Sequence, residues 1–503
     1  MTDRLLVSRN AADAHPVVPV ARDLAPRQTA AECLFGWLLS RCDLASMAVF
    51  RIGFGLLMAG WGAEYLASGR VWYLYIVPRF HFTYFPFDWV RPLPGTLMYV
   101  HFVVLTAMAL GIALGLFYRV SATLFAAGFT WFFLLERTNY QNHYYLVLLL
   151  SWLLPLLPLN GIWSLDARRT PTFRSQTAPT WALWLLRFHV ALPYFFGGLA
   201  KLHPDWLAGQ PMRMILAAQP RGDLLSQDQW VMFFTLGGLL FDLGIVPLLC
   251  WRRTRVLAYV LCVAFHVMNA LLFQIHVFPW MMIFATTIFF EPGWPRAIVG
   301  ISRQRELEPR PVSWSTLSRP VKWGMALGLG YCLFQCAWPL RHNLYAGDSN
   351  WTERGHLFSW HMMLRIKSSG VRYYMTDPRT GTTWNPDLRP YLNEEQAGKF
   401  SRDPEMIRQL ARFLADEHRR RFGGSVEVRA LVLTSLNGRK PQLFIDPTVD
   451  LAREPRGWNA QSWVWPLVEP LRRNAWNLPL TEWERHVDIP QFKTRSTNPA
   501  PAS

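Results

Sequence analysis

The sequence predicts a polytopic α-helical membrane protein with about nine transmembrane helices, followed by an extracytoplasmic α+β domain. Three observations carry that prediction. The chain has 503 residues, 51% of them hydrophobic and 15% aromatic, and from about residue 45 to 340 the apolar ones gather into runs of near-spanning length. From about 340 onward the pattern becomes that of a water-soluble domain. Arginines collect in alternate loops between the runs, as positive-inside bias requires. The chain therefore divides into a cytoplasmic tail (1–44), a helical membrane domain (45–340) and an extracytoplasmic domain (341–503).

The apolar runs fall at 47–66, 96–116, 120–136, 143–160, 181–200, 230–250, 256–273, 278–292 and 321–339. With the N-terminus cytoplasmic, the inner loops hold Arg119, then Arg168, Arg169 and Arg174, then Arg252, Arg253 and Arg255, then Arg296, Arg303, Arg305, Arg310 and Arg319. The outer loops hold only Arg70, Arg79, Arg91, Arg137, Arg213 and Arg221, and an odd number of spans puts the C-terminal domain outside. This placement also accounts for the net charge of +17 without a nucleic-acid partner. Residues 1–44 carry Arg4, Arg9, Arg22, Arg27 and Arg41 but no apolar core followed by a small-residue cleavage site. None of the six cysteines lies in the C-terminal domain, so no disulfide framework and no thiolate metal site is expected. The preference for Arg over Lys points to a GC-rich bacterial gene and an inner-membrane location.

The outer loop containing VWYLYIVPRFHFTYFPFDW (71–89) reads as an interfacial element, either an aromatic belt or a lid over a lipid-side pocket. Arg51, Glu64, Arg187 and Asp242 are ionisable groups within apolar runs, read as packing ion pairs. Asn142 and His143 sit in a polar cluster (Asn139, Gln141, Asn142, His143) at the outer start of the fourth run. A histidine there serves either as an interfacial anchor or in proton transfer. His266 and Asn269 lie one turn apart, so they share a helix face turned into the bundle.

Lys201 stands at the end of the fifth run, before Leu202-His203-Pro204, where Pro204 is expected to end the helix. It is the only lysine in the first 321 residues. One role for it is a snorkelling anchor. The other is a general base, because a desolvated lysine can lose its proton whereas arginine cannot in practice.

In the C-terminal domain, 403–421 reads as a helix with Asp403 as N-cap, and VEVRALVLTSL and QLFIDP read as a hairpin around Asn437-Gly438. The segment GHLFSWHMMLRIKSSG (355–370) is aromatic, Met-rich and basic. Trp360, Met362 and Met363 are either core packing or the wall of an apolar ligand site, with Arg365 and Lys367 available to an acidic ligand.

In order along the chain, FRIGFGLLM (50–58), ALGLFYRVS (113–121), the Asn-His of QNHYYL, GGLAKLHPDW (197–206), GGLLFDLG (237–244), FHVMNALLF (265–273), EPGWP (291–295), FSWHMM (358–363), DPRTG (377–381), YLNE (391–394), IDPTVDL (445–451) and SWVWPL (462–467) resemble the vitamin K-dependent gamma-glutamyl carboxylase family. The membrane half also resembles the wider HTTM group, whose members need not be carboxylases.

That resemblance implies a coupled reaction: reduced vitamin K (the hydroquinone, menaquinol included) reacts with O2 to give an epoxide, and a peptide glutamate is γ-carboxylated with CO2, without a metal. It implies Lys201 as the base, His143 as the essential histidine with Asn142 before it, and His266 at the quinone, the apolar ligand for which Met362 and Met363 would form a wall. Trp360, Arg365 and Lys367 fall in the glutamate-binding stretch. There Arg365 and Lys367 stand where the family has His and Arg, and His361 where it has Asp. The cysteine pair joining the two halves of the eukaryotic enzyme is absent. The partners implied are a glutamate-containing protein or peptide and the bilayer. Two alternatives remain open: quinone epoxidation without carboxylation, and a non-enzymatic HTTM-type protein binding a lipid or a partner.

Overall fold

The computed structural model describes residues 29–273, 277–302, 312–457 and 461–490. Most of the tail, with Arg4, Arg9, Arg22 and Arg27, lies outside the described residues, as do Arg303, Arg305 and Arg310 of the basic loop. Each of the nine apolar runs holds a helix: α1 (Ala45–Ala67), α2 (Thr96–Leu114), α3 (Tyr118–Leu134), α4 (Asn142–Leu153), α5 (Thr180–Ala200), α6 (Asp228–Cys250), α7 (Arg255–Leu272), α8 (Phe278–Thr286) and α9 (Arg319–Ala337).

Among the described residues five helices, α1, α2, α5, α6 and α7, are 18 to 23 residues long and apolar enough to cross a bilayer. At 1.5 Å per residue that is about 27–35 Å, the thickness of a hydrocarbon core. The sequence predicts nine spans, and the other four helices fall short for identifiable reasons. The α3 helix has 17 residues, while α4 and α8 stop after 12 and 9. The α9 helix is long, but it opens on Arg-Pro-Val-Lys and carries three glycines.

Arg51 and Arg187, within the apolar runs, are satisfied by backbone carbonyls rather than held as packing ion pairs. Arg51 donates to the carbonyls of Leu159, Ile112, Ala113 and Trp163. It thereby satisfies the open C-terminal end of α2, where the left-handed Gly115 (φ +60) has no Cβ to collide with the guanidinium. Arg187 does the same for Ile288, Phe289 and Phe290 beyond α8. Both use a fixed fork of donors to close helix ends in a medium without water.

The C-terminal domain is a four-stranded antiparallel sheet, with β1 (Lys367–Thr376), β2 (Thr383–Trp384), β3 (Glu427–Leu436) and β4 (Gln442–Leu443) in the order β2-β1-β3-β4. It packs against α10 (Pro404–Phe422), which Asp403 caps by accepting from Glu405 N at 2.9 Å. The hairpin turns at Asn437 and Gly438, both with positive φ. Only part of the 71–89 loop packs into the domain, while Trp72, Phe85, Phe87 and Trp89 remain exposed. Phe80 and Phe82 are built into the core of the C-terminal domain, against Phe413 and Phe400. Gln409 clamps Thr83 through its backbone in both directions.

The same end of the helical bundle carries further ties to the domain. Pro204 does not end α5. The helix stops at Ala200, and Pro204 opens a short helix (Pro204–Leu207) capped by His203. Its Asp205 takes Arg439 in two hydrogen bonds of 2.6 and 2.8 Å and Asn437 in a third, fastening the hairpin turn to the Lys201 end of α5.

Candidate active site

Two glycines decide where Lys201 sits. A Cβ on Gly198 would meet Leu243 of α6 at 2.7 Å, and one on Gly197 would meet Met362 at 2.8 Å. Without them α5 and α6 approach closely, and Lys201 Nζ pairs with Asp242 of α6. The lysine is 6% exposed and the carboxylate 4%. A weaker contact runs from Nζ to Gly197 O at 3.4 Å. Asp242 is the site residue that sequence reasoning passed over. Its signal was a lone acid in an apolar run, where charge needs a partner.

Around this pair lies a cavity of about 530 Å³, walled by α4 to α8 and closed by residues 361–363. It brings together Lys201, His143, Asn142, His266, Met362 and Met363. Most of its remaining wall is apolar, including Phe233, Phe241, Phe265 and Phe278. Phe233 (63% exposed) and Leu261 (46%) line it while also standing on the outer faces of α6 and α7, so it is reached from the lipid-facing flank.

His143 stacks on Phe278 with ring centroids 5.4 Å apart. Asn142 donates to the carbonyl of His361 at 3.1 Å and accepts from Tyr140 at 3.0 Å, which ties the start of α4 to the closing segment. His266 Nε2 meets the Tyr194 hydroxyl at 2.7 Å, and Tyr194 also reaches Thr286 and Cys262. His266 Nδ1 is buried with no hydrogen-bond partner among the described residues. Tyr194 was likewise missed, hidden among the aromatics of α5.

The closing segment is backbone under strain. Phe358, Trp360 and Met363 all have φ near +60, at a cost of about 1–3 kcal/mol each. The turns point His361, Met362 and Met363 into the cavity and send Trp360 away, onto the ring of Tyr145. Arg365 and Lys367 do not reach the cavity. Both are held by Glu353, and Lys367 also donates to Trp351 O. Lys367 is the first residue of β1, which fixes it to the sheet. Burial pushes His361 down to about 2 and His356 to about 3, each lowered further by neighbouring cations and histidines, so both are neutral.

An aromatic diol of quinol size fits this enclosure: an apolar slot, an unsatisfied imidazole nitrogen for a ring oxygen, and a lysine–carboxylate pair at one end. Residues 40–294 match the family model of the HTTM domain, and residues 321–470 match that of the vitamin K-dependent gamma-carboxylase lumenal domain. No solved structure matches the chain. With the two models in this order over most of its length, the chain is an integral membrane protein of the HTTM family, belonging to the vitamin K-dependent gamma-carboxylases.

Proposed function

We propose that the protein is a vitamin K-dependent carboxylase that couples oxygenation of a reduced vitamin K-type quinone to γ-carboxylation of a peptide glutamate. The observation that carries this reading is the convergence of Lys201, Asp242, His143 and His266 on one apolar cavity. When bound, the hydroquinone with O2 supplies the strong base that the glutamate γ-carbon requires. The chain's own residues bind, orient and move protons. Lys201 and Asp242 are a coupled pair. With the shared proton on the carboxyl, the amine of Lys201 is free to accept one from a ring hydroxyl. The Tyr194–His266 pair orients that hydroxyl, and His143 donates to the oxygen that gains negative charge. The phenylalanines, Met362 and Met363 exclude water. Trp360, Arg365 and Lys367 enter as supports of the closing segment, not as contacts to substrate.

In this reading residues 1–44 are a cytoplasmic tail, 45–340 the membrane domain with nine crossings, and 341–503 the external domain, in a bacterial inner membrane. A cysteine at the exposed Ser425, in a variant without the native cysteines, should react with a membrane-impermeant thiol reagent on intact spheroplasts. Protection until lysis would place the domain inside and refute the orientation.

The test of activity is purified protein with reduced vitamin K, O2 and labelled bicarbonate, with and without a glutamate peptide. Epoxide plus peptide-bound label supports the proposal. A second reading, quinone epoxidation alone, is favoured by the engagement of both Arg365 and Lys367 with Glu353, and epoxide without fixed label would select it. The absence of both products would leave a binding protein.

A further inference from the structure

A second pocket of about 410 Å³ lies on the water-side face, over the end of α5. Leu199 and Ala200 form part of its floor, and His361 lines both this pocket and the Lys201 cavity, so the two spaces share a wall. The sequence reading left this pocket unassigned, and its polar groups have a common character.

Asn350 lines it, is 1% exposed, and its side-chain oxygen is buried with no hydrogen-bond partner among the described residues. Asp348 lines it too. One of its oxygens accepts from the backbone N–H of Asn350 at 2.8 Å, and the other faces His203 Nε2 at 3.3 Å. The third polar wall is His342, whose Nδ1 lies 2.8 Å from the carbonyl of Pro339. A carbonyl only accepts, so Nδ1 carries a proton there. His203 Nδ1 is likewise occupied, accepting from the backbone N–H of Asp205.

The open acceptor of Asn350 beside the Asp348 carboxylate suits a ligand that donates hydrogen bonds, and the carboxylate disfavours an anion in this pocket. An unsatisfied buried acceptor costs about 1–3 kcal/mol unless a ligand donates to it. We propose that this pocket seats the main chain of the polypeptide substrate, with a backbone N–H donating to Asn350 Oδ1 while the glutamate side chain passes His361 toward Lys201. This assignment rests on the carboxylase reading above. It gives the substrate a recognition site that does not read sequence, because every non-proline residue carries the N–H it uses.

The test is a binding cycle on the full-length protein in detergent, read by fluorescence anisotropy. The probes are a short fluorescent peptide with a central glutamate and the same peptide N-methylated at the amides flanking it. N-methylation should weaken binding to the unmodified protein by about tenfold, the effect of one hydrogen bond to a buried acceptor. In Asn350→Leu the parent peptide should bind about tenfold more weakly, and N-methylation should cost little more. An unmodified protein that binds both peptides equally overturns the proposal, whatever the variant does. So does an equal N-methylation penalty in both proteins. If label is fixed into a peptide that shows no such coupling, the carboxylase reading stands and this pocket assignment falls. If no label is fixed and no peptide binds, both fall.

Discussion

Two buried lysines, each beside a carboxylate, show what separates a structural ion pair from a reactive one. In the C-terminal domain Lys367 holds Glu353 at 3.0 Å and Trp351 O at 2.5 Å, lies 4.1 Å above the ring of Phe444, and shares its carboxylate with Arg365. Every direction around the ammonium is filled. In the membrane domain Lys201 has Asp242, one long contact to Gly197 O, and a cavity of about 530 Å³. Burial and pairing are common to both. Only the second has room for a reactant, and only there can a proton leave the pair without breaking a packed core.

The largest expected effect tests that difference directly. Lys201→Ala should abolish epoxide formation while the protein stays folded, because a carboxyl left without its cation can take up a proton and stay buried in neutral form. Lys201→Arg should be equally inactive, since a guanidinium does not release its proton. Epoxide assays beside thermal unfolding in detergent check both points. Full activity in either variant at neutral pH would remove Lys201 from the chemistry.

Glu353→Gln should do the opposite: it strands the buried Lys367 and the half-buried Arg365 and should destabilise the C-terminal domain by about 3–5 kcal/mol. Denaturant unfolding measures it. A fully stable Gln variant that has lost only carboxylation would place Arg365 and Lys367 in the substrate site and erase the contrast. His143→Ala, on the cavity side, should lower turnover by about 10²–10³, the scale of one lost oxyanion donor. A change confined to quinone affinity would make His143 a binding wall.

Sequence legibility follows the same division. Lys201 could be found because it stands alone among arginines, and the nine apolar runs each gave a helix. The Asn437-Gly438 turn and the Asp403 cap were readable because each is a local device with its own residue chemistry. Asp242 was visible as an acid but not as the partner of Lys201, 41 positions away. Their meeting depends on how closely α5 and α6 pack at Gly198, which no periodicity encodes. The three left-handed residues of 358–363 were hidden for a related reason: Phe, Trp and Met give no local signal for positive φ, so tertiary contacts must impose it. The threading of Phe80 and Phe82 into the distant domain core is a third case, since an aromatic loop looks the same at a membrane surface and in a core.

The smallest effect concerns the segment that joins the two lysine sites. His356 and His361 meet through their Nδ1 atoms at 3.3 Å, with His342 against His361 and Lys367, Arg341, Asp348 and His203 nearby. Burial first, then the surrounding cations and histidines, hold both rings neutral in the folded state. An unfolded histidine titrates near about 6.5, so below that pH the unfolded chain binds protons that the folded one refuses, and stability falls as pH falls. His203 works in the other direction. Its hydrogen bond to Asp348 raises it, so its contribution is present below the unfolded value and is lost as pH rises through the folded one. Below about pH 6.5 His203 is protonated in both states and adds no slope, so the two neutral rings give up to about 2.7 kcal/mol per pH unit toward lower stability in acid. His361→Met keeps the volume, removes one of the two rings, and should cancel about half of that slope. Unfolding midpoints of both proteins across this range measure it. Parallel pH profiles would mean that His361 is already protonated in the folded state, and the wall between the two cavities would then carry a charge rather than a neutral ring.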